Sequence, residues 1–316
     1  MILYSLVAVL AAGLTLPVDN HYENKGFLYT RQQVLNRLCL VSVFLLLFLV
    51  SALRLNVGND YAKYVEFMHL IRCDAVVPTE FGFNWVVKIL YGISGFENYL
   101  LVFAVFAFAT IYLFLKAIYQ QADSFPFSFF LFMALGYYFQ TFNTVRYYLA
   151  LAIALFAIPY VLRKEWGKFI LLILLGATMH KSLLVVIPLY FLASRCWKKW
   201  QLVLAALFCS TFFFLQDFYL KLVVFLYPTY EDTEYLEGGT SMINILRCAA
   251  VLVLALLCYK KCVKENIRNR FYFYCNLGAL VMYVCCSFLP IISRIGYYLT
   301  ITHIFFLPAL VNGIEN

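Results

Sequence analysis

Four arginines interrupt an otherwise apolar chain. Arg54 closes one hydrophobic run. Arg146 opens another in Phe142-Asn143-Thr144-Val145-Arg146-Tyr147-Tyr148, Arg247 lies inside a third, and Arg294 follows Pro290-Ile291-Ile292-Ser293 between two more. A guanidinium at the centre of a membrane helix costs about 2.5–3.5 kcal/mol on insertion scales. Several of them on one side call for an anionic partner, and the planar fork of arginine matches a phosphate or diphosphate. His180-Lys181 stands alone between apolar stretches. A cation beside an imidazole favours its neutral form, the one that accepts a proton. The stretch Arg54-Leu55-Asn56-Val57-Gly58-Asn59-Asp60-Tyr61 adds a carboxylate at a turn that Gly58-Asn59 permits. These residue types supply cations for a phosphate or pyrophosphate, an imidazole able to accept a proton at His180, and a carboxylate, Asp60, that the turn would present to the cavity beneath.

Each feature also has a plainer explanation. Long cations near helix ends snorkel toward the interface. Asp60 suits the N-cap of a helix over 61–71, and Glu80 suits a solvated loop. A lone histidine is more often a satisfied structural group than a catalyst. Tyr137, Tyr138, Tyr147, Tyr148, Tyr297 and Tyr298 have rings that can stack on sugars, and equally form an interfacial aromatic belt. Asp217 and Lys221 are spaced as a structural i,i+4 pair, and the acidic stretch 231–237 reads as solvated. The ten cysteines lie mostly inside apolar runs without metal spacing. No outer cluster of His, Asp or Glu has ligand spacing, so neither a metal nor another cofactor is expected.

Composition sets what must position these groups. The 316 residues are 65% hydrophobic and 13% charged, with mean hydropathy +0.85; a soluble domain carries about 45–50% apolar and about 25% charged residues. The reading is all-α: a single integral membrane domain over 1–316, a polytopic bundle of about eleven spans. These run over 2–17, 37–54, 98–118, 125–142, 144–162, 167–179, 183–194, 201–222, 243–259, 271–290 and 295–311. The first has neither the basic region nor the cleavage site of a signal peptide and is read as a retained span. Alternating the loops puts 15 of the 24 Lys and Arg on one side, taken as cytoplasmic, and ten of the 16 acidic residues on the other. The net charge of +8 therefore reports topology rather than nucleic-acid binding. Only 11 residues separate Lys168 from His180, about 16 Å of helix, too little to cross a core of about 30 Å. A single span over 169–194 would move the later Lys and Arg clusters outside. The segment is therefore read as a short hairpin with His180-Lys181 at its apex, at membrane depth. In the first outer loop, residues 83–91 have the apolar spacing of a short interfacial helix.

The ordered set Arg54-x3-Gly58-Asn59-Asp60-Tyr61-x2-Tyr64, Glu80-Phe81-Gly82-Phe83, Asn143-x2-Arg146-x3-Ala150, His180-Lys181-Ser182 with Pro188, and Arg294 with Tyr297-Tyr298 resembles the EpsG family of bacterial exopolysaccharide polymerases, the Wzy-like group. The resemblance covers residues 50 to about 300. The chain stops at Asn316, directly after a span, where members of the family often run somewhat longer. The resemblance implies a multi-pass protein of the bacterial cytoplasmic membrane that joins polyprenyl-pyrophosphate-linked repeat units at an outward-facing site. The growing chain is the donor, a hydroxyl of the next lipid-linked repeat is the acceptor, and lipid pyrophosphate leaves. Arg54, Arg146, Arg247, Arg294 and Lys181 would then bind the pyrophosphate. His180 or Asp60 would be the base, and Tyr61, Tyr64, Glu80, Asn143 and Tyr297 would face the sugars. A chain-length regulator or other assembly protein is an implied partner; nucleic acid is not.

Two other classes share part of this pattern. A lipid-linked oligosaccharide flippase must serve both membrane faces and needs polar residues along a through-path, whereas the inner halves of these spans are almost uniformly apolar. A ligase or related lipid-phosphosugar glycosyltransferase would share the arginine and base logic.

Overall fold

The computed structural model describes residues 2–21, 30–226, 241–289 and 292–315. The acidic stretch 231–237 lies outside them. Every regular element among the described residues is helical. The chain divides into two compact units, 1–187 and 188–316.

The first unit holds α1 (Ile2–Thr15), α2 (Arg31–Ala52), α3 (Tyr61–Arg72), α4 (Phe81–Ser94), α5 (Tyr99–Gln121), α6 (Phe125–Ala134), α7 (Tyr137–Gln140), α8 (Val145–Leu162) and α9 (Trp166–Ala177), then a 3₁₀ turn, Lys181–Val185. The boundary between units falls inside α10 (Val186–Ser194). The second unit continues with α11 (Lys199–Phe214), α12 (Gln216–Leu226), α13 (Met242–Leu257), α14 (Ile267–Cys285), α15 (Ile292–Thr300) and α16 (His303–Glu315).

Among the described residues three helices are long and apolar enough to cross a membrane: α2, α5 and α8, with 22, 23 and 18 residues, roughly 27–35 Å at 1.5 Å per residue. Two bent pairs, α11–α12 at 83° and α15–α16 at 40°, bring the number to five if each is one crossing. These helices make the chain a membrane protein, but helix length does not reach the eleven spans expected from apolar runs. The physical reason is visible in the breaks. The run 125–142 stops at Leu135, Gly136 takes φ +78°, and α7 follows as a separate turn. Helices α6, α9 and α10 have only 10, 12 and 9 residues, each short of a core of about 30 Å.

In the first unit α5 packs on α2 and α8, and α9 packs on α8. Ala150, Ala152, Ala154 and Ala157 of α8 are fully buried; small residues let apolar helices approach closely where no water drives them together. At the α1–α2 end, Asn36 exchanges hydrogen bonds with the Asp19 backbone, while Asn20 donates to Ala122 O and accepts from Phe125 N.

The first long loop forms two short helices, α3 and α4, at the expected 61–71 helix and the expected interfacial helix around 83–91. On α3 the buried residues are Tyr61, Tyr64, Met68 and Ile71, the spacing of one helical face. On α4, Gly82, Phe83, Val87 and Tyr91 are buried, while Phe81, Trp85, Ile89 and Ile93 are exposed at intervals of four. An apolar stripe of that kind suits a helix lying in the membrane interface. Lys88 of α4 ion-pairs with Asp74 beyond α3, and this hydrogen bond holds the Asp74 carboxyl below its usual range.

The second unit is tied by buried polar side chains. Asn276 of α14 donates to Cys248 O of α13 (3.0 Å) and its Oδ1 pairs with His303 Nε2 of α16 (2.8 Å). Because the Asn276 amide nitrogen already donates to a carbonyl, its oxygen is the acceptor and His303 Nε2 carries the proton. Asn276 thereby links three helices.

Candidate functional site

The site in the first unit is assembled from the N-termini of α4 and α8 and the break after α9. Glu80 occupies the N-cap position of α4 but makes no capping bond with its side chain. Its carboxylate turns to other elements instead. One oxygen, Oε2, accepts from Arg146 Nη1 in the first turn of α8. The other, Oε1, accepts from the Lys181 backbone N–H at 3.0 Å and lies 3.5 Å from His180 Nδ1. The Arg146, Glu80 and His180 side chains are 13%, 15% and 16% exposed, so all three are largely desolvated yet still reachable. A carboxylate in such a setting is held by its donors.

Arg146 lies against two neighbouring aromatic rings. Its guanidinium lies over Phe83 at 5.3 Å and over Tyr64 at 5.7 Å, a stacking that lysine cannot reproduce. Its backbone N–H points at Tyr64 Oη at 3.5 Å. His180 meets the Tyr147 ring edge-on at 5.7 Å, and its Nδ1 is also 3.4 Å from the Ser182 N–H. Nδ1 therefore has two competing roles. Protonated, it donates toward Glu80 and makes Nε2 the proton acceptor; unprotonated, it accepts from Ser182 and puts the proton on Nε2.

Gly82 allows this meeting. Its N–H donates to Thr178 O at 3.0 Å. A Cβ at Gly82 would lie 2.5 Å from Thr178 Oγ1 and 2.7 Å from Thr178 O, so only glycine lets α4 come this close to the segment carrying His180. Gly82→Ala is expected to destabilise the protein by about 1–3 kcal/mol through overpacking. Gly92→Ala, in open space on the same helix, should be neutral or slightly stabilising. Thermal unfolding of the two purified variants checks the contrast; equal midpoints would remove the close approach from the account.

The loop before α3 docks on the same corner. Gly58 has φ +108°, and a Cβ there would fall 2.2 Å from Phe142 O. The next residue, Asn59, donates its N–H to Asn143 Oδ1 at 3.0 Å, and Asn143 Nδ2 donates to Gln140. Asp60 follows. It sits at the N-cap position of α3 without a side-chain capping bond, and among the described residues its carboxylate has no partner. Tyr64 is its i+4 neighbour, so Asp60 lies about one turn along the helix face from the residue that touches Arg146.

The other sequence candidates divide. Arg54 is buried, with its guanidinium over Phe103 (5.0 Å) and Phe142 (5.1 Å) and Nη1 donating to Ser51 O and Oγ at the end of α2. It caps a helix C-terminus and braces the loop. Tyr61 stacks on Phe103 at 4.9 Å and is buried, as is Tyr64, so both rings pack in the core instead of facing outward. Lys181 is exposed. In the second unit, Arg247 donates to Asn244 Oδ1 at 3.0 Å, and Arg294 shares α15 with Tyr297 at a spacing of three. Among the described residues no three His, Cys, Asp or Glu side chains gather in metal-binding geometry.

What the sequence reading missed is Glu80 as the hub. Its signal was available: an acidic residue directly before a helix, followed two positions later by a glycine that must serve a close approach.

The model of the EpsG family matches residues 37–316, nearly the whole chain. The chain belongs to the EpsG family. Its place is thus among membrane proteins of polysaccharide biosynthesis, and every residue of the Glu80 cluster lies inside the matched region of this EpsG-family protein. No curated protein and no solved structure matches the chain.

Proposed function

We propose that this EpsG-family protein is a polymerase that joins polyprenyl-pyrophosphate-linked repeat units on the outer face of the cytoplasmic membrane. The observation that carries the reading is the convergence of Arg146, Glu80 and His180, three mostly buried groups from separate segments of an apolar chain. Charged groups kept inside a membrane protein without a simple structural need mark functional sites.

In this reading a hydroxyl of the acceptor repeat attacks the anomeric carbon of the donor. The new carbon–oxygen bond forms as the bond from that carbon to the phosphate oxygen breaks, and the electron pair leaves on the lipid diphosphate. His180 Nε2 takes the hydroxyl proton. Glu80, opposite Nδ1, holds the ring in the matching tautomer and stabilises the imidazolium that results. Arg146 and Lys181 supply positive charge beside the N-terminus of α8, itself favourable to a phosphate. Arg247 and Arg294, within the second unit, are separate candidates for contact with a phosphate. Asp60 is the second candidate base; its unpartnered carboxylate otherwise binds acceptor hydroxyls, as does Asn143. Arg54 supports the loop.

The test is turnover by purified protein in liposomes supplied with a synthetic polyprenyl-diphosphate repeat. The expected products are a doubled glycan and an equal amount of released polyprenyl diphosphate. Movement of the repeat across the bilayer with no new glycosidic bond would make the protein a transporter.

A further inference from the structure

Between α2 and α5 lies an apolar groove of about 490 Å³. Leu40, Val41 and Phe44 form one wall, and Phe108 begins the other, which runs to Gln120. That stretch of α5 is about 18 Å long, close to the roughly 15 Å that half of a 30 Å hydrocarbon core provides. The two helices run antiparallel, because Arg54 at the end of α2 meets Phe103 while Phe44 and Phe48 meet Phe108. The groove therefore starts near mid-helix and ends at the α5 C-terminus, away from the Arg54–Asp60 loop and the Glu80 cluster's side of α5.

Polarity is confined to that end. Lys116 reaches the Tyr112 hydroxyl at 3.3 Å and lies 5.4 Å and 5.3 Å from the Tyr112 and Phe156 ring centroids. Among the described residues no carboxylate pairs with it. It sits five residues before the end of α5, about 7.5 Å along the axis, the depth at which lipid phosphates meet the core. Arg37 lies one turn before Val41 on the same face of α2, which brings a second cation to this end. An ammonium left beside aromatic rings in an apolar surface is stabilised by a lipid anion.

We propose that this groove holds one acyl chain of an anionic glycerophospholipid, whose headgroup phosphate rests on Lys116. The groove's length favours this occupant over a polyprenyl chain, which is longer than one leaflet is deep and would run out of it. The site is independent of glycosyl transfer and needs no assumption about it.

Full-length protein in detergent is titrated with phosphatidylglycerol and, separately, with phosphatidylcholine of the same acyl chains, and bound lipid is read by native mass spectrometry. Wild type is expected to bind phosphatidylglycerol more tightly. Lys116→Gln should lose about fivefold of that affinity, the worth of one cation at an anionic lipid surface, and leave phosphatidylcholine unchanged. Val41→Trp, which fills the groove, should weaken both. If Lys116→Gln does not fold, Lys116→Met takes its place, since an apolar side chain suits that surface. Equal affinity of wild type for the two lipids, or unchanged phosphatidylglycerol binding after loss of the ammonium, overturns the proposal. Undecaprenyl phosphate displacing phosphatidylglycerol at equal concentration would overturn it too, by assigning the groove to the polyprenyl carrier.

Discussion

Glu80→Gln should lower the rate of glycosyl transfer by at least about 10²-fold, the scale seen when the carboxylate that orients a catalytic histidine is made neutral. The substitution keeps the shape of the side chain and removes its charge. Arg146 then faces an amide instead of a carboxylate across a largely buried gap, and His180 loses the anion opposite Nδ1. Removing one partner of a buried ion pair costs about 3–5 kcal/mol, because the other charge stays desolvated. The partial exposure of both side chains favours the lower end of that range. The protein should therefore be both slower and less stable. The two effects separate in the double variant. Glu80→Gln with Arg146→Gln has no orphaned charge, so much of the stability should return while the rate stays low. Thermal unfolding in detergent and product formation, measured on the same four proteins, form a double-mutant cycle. Full activity of Glu80→Gln would remove the hub from the mechanism.

His180→Gln should reduce transfer by about 10²–10⁴-fold, the contribution of general base catalysis. Glutamine keeps a hydrogen-bonding group against Glu80 and Ser182 but cannot accept the proton of an attacking hydroxyl. Donor binding should persist, since the phosphate-directed cations are untouched. The split between lost rate and retained binding distinguishes a base from a packing residue, because a packing defect would lower both. A tenfold-weaker donor affinity with a matching fall in rate would make His180 structural.

Much of the local structure was legible from one sequence. The 61–71 helix is α3 almost to the residue, and the apolar spacing around Phe83-Tyr91 became α4. The break at His180 was readable because 11 residues of helix cannot cross a bilayer. Gly58 as a turn residue was readable from Gly58-Asn59-Asp60, though not that its missing side chain admits Phe142 O. Helix length among the described residues carries three to five of the eleven spans; in one of the others, hydropathy runs through Gly136, where a positive φ divides the helix. Glu80 was read as a sugar-facing residue, with a solvated loop charge as the plainer alternative; its place at the hub was not legible because its partners lie 66 and about 100 residues away in the chain, and no local pattern encodes such pairings. For the same reason the burial of Arg54 over Phe103 and Phe142 was not legible from its place at the end of an apolar run.

In the proposed mechanism, transfer runs through the Glu80–His180 pair and not through Asp60. The most direct measurement is a side-by-side single-turnover rate for purified wild type, His180→Gln and Asp60→Asn, each preloaded with the same synthetic lipid-diphosphate donor. His180→Gln is expected to bind donor normally and to form product about 10²–10⁴ times more slowly, while Asp60→Asn stays within about tenfold of wild type. A wild-type rate in His180→Gln with an inactive Asp60→Asn would contradict this mechanism and make Asp60 the base.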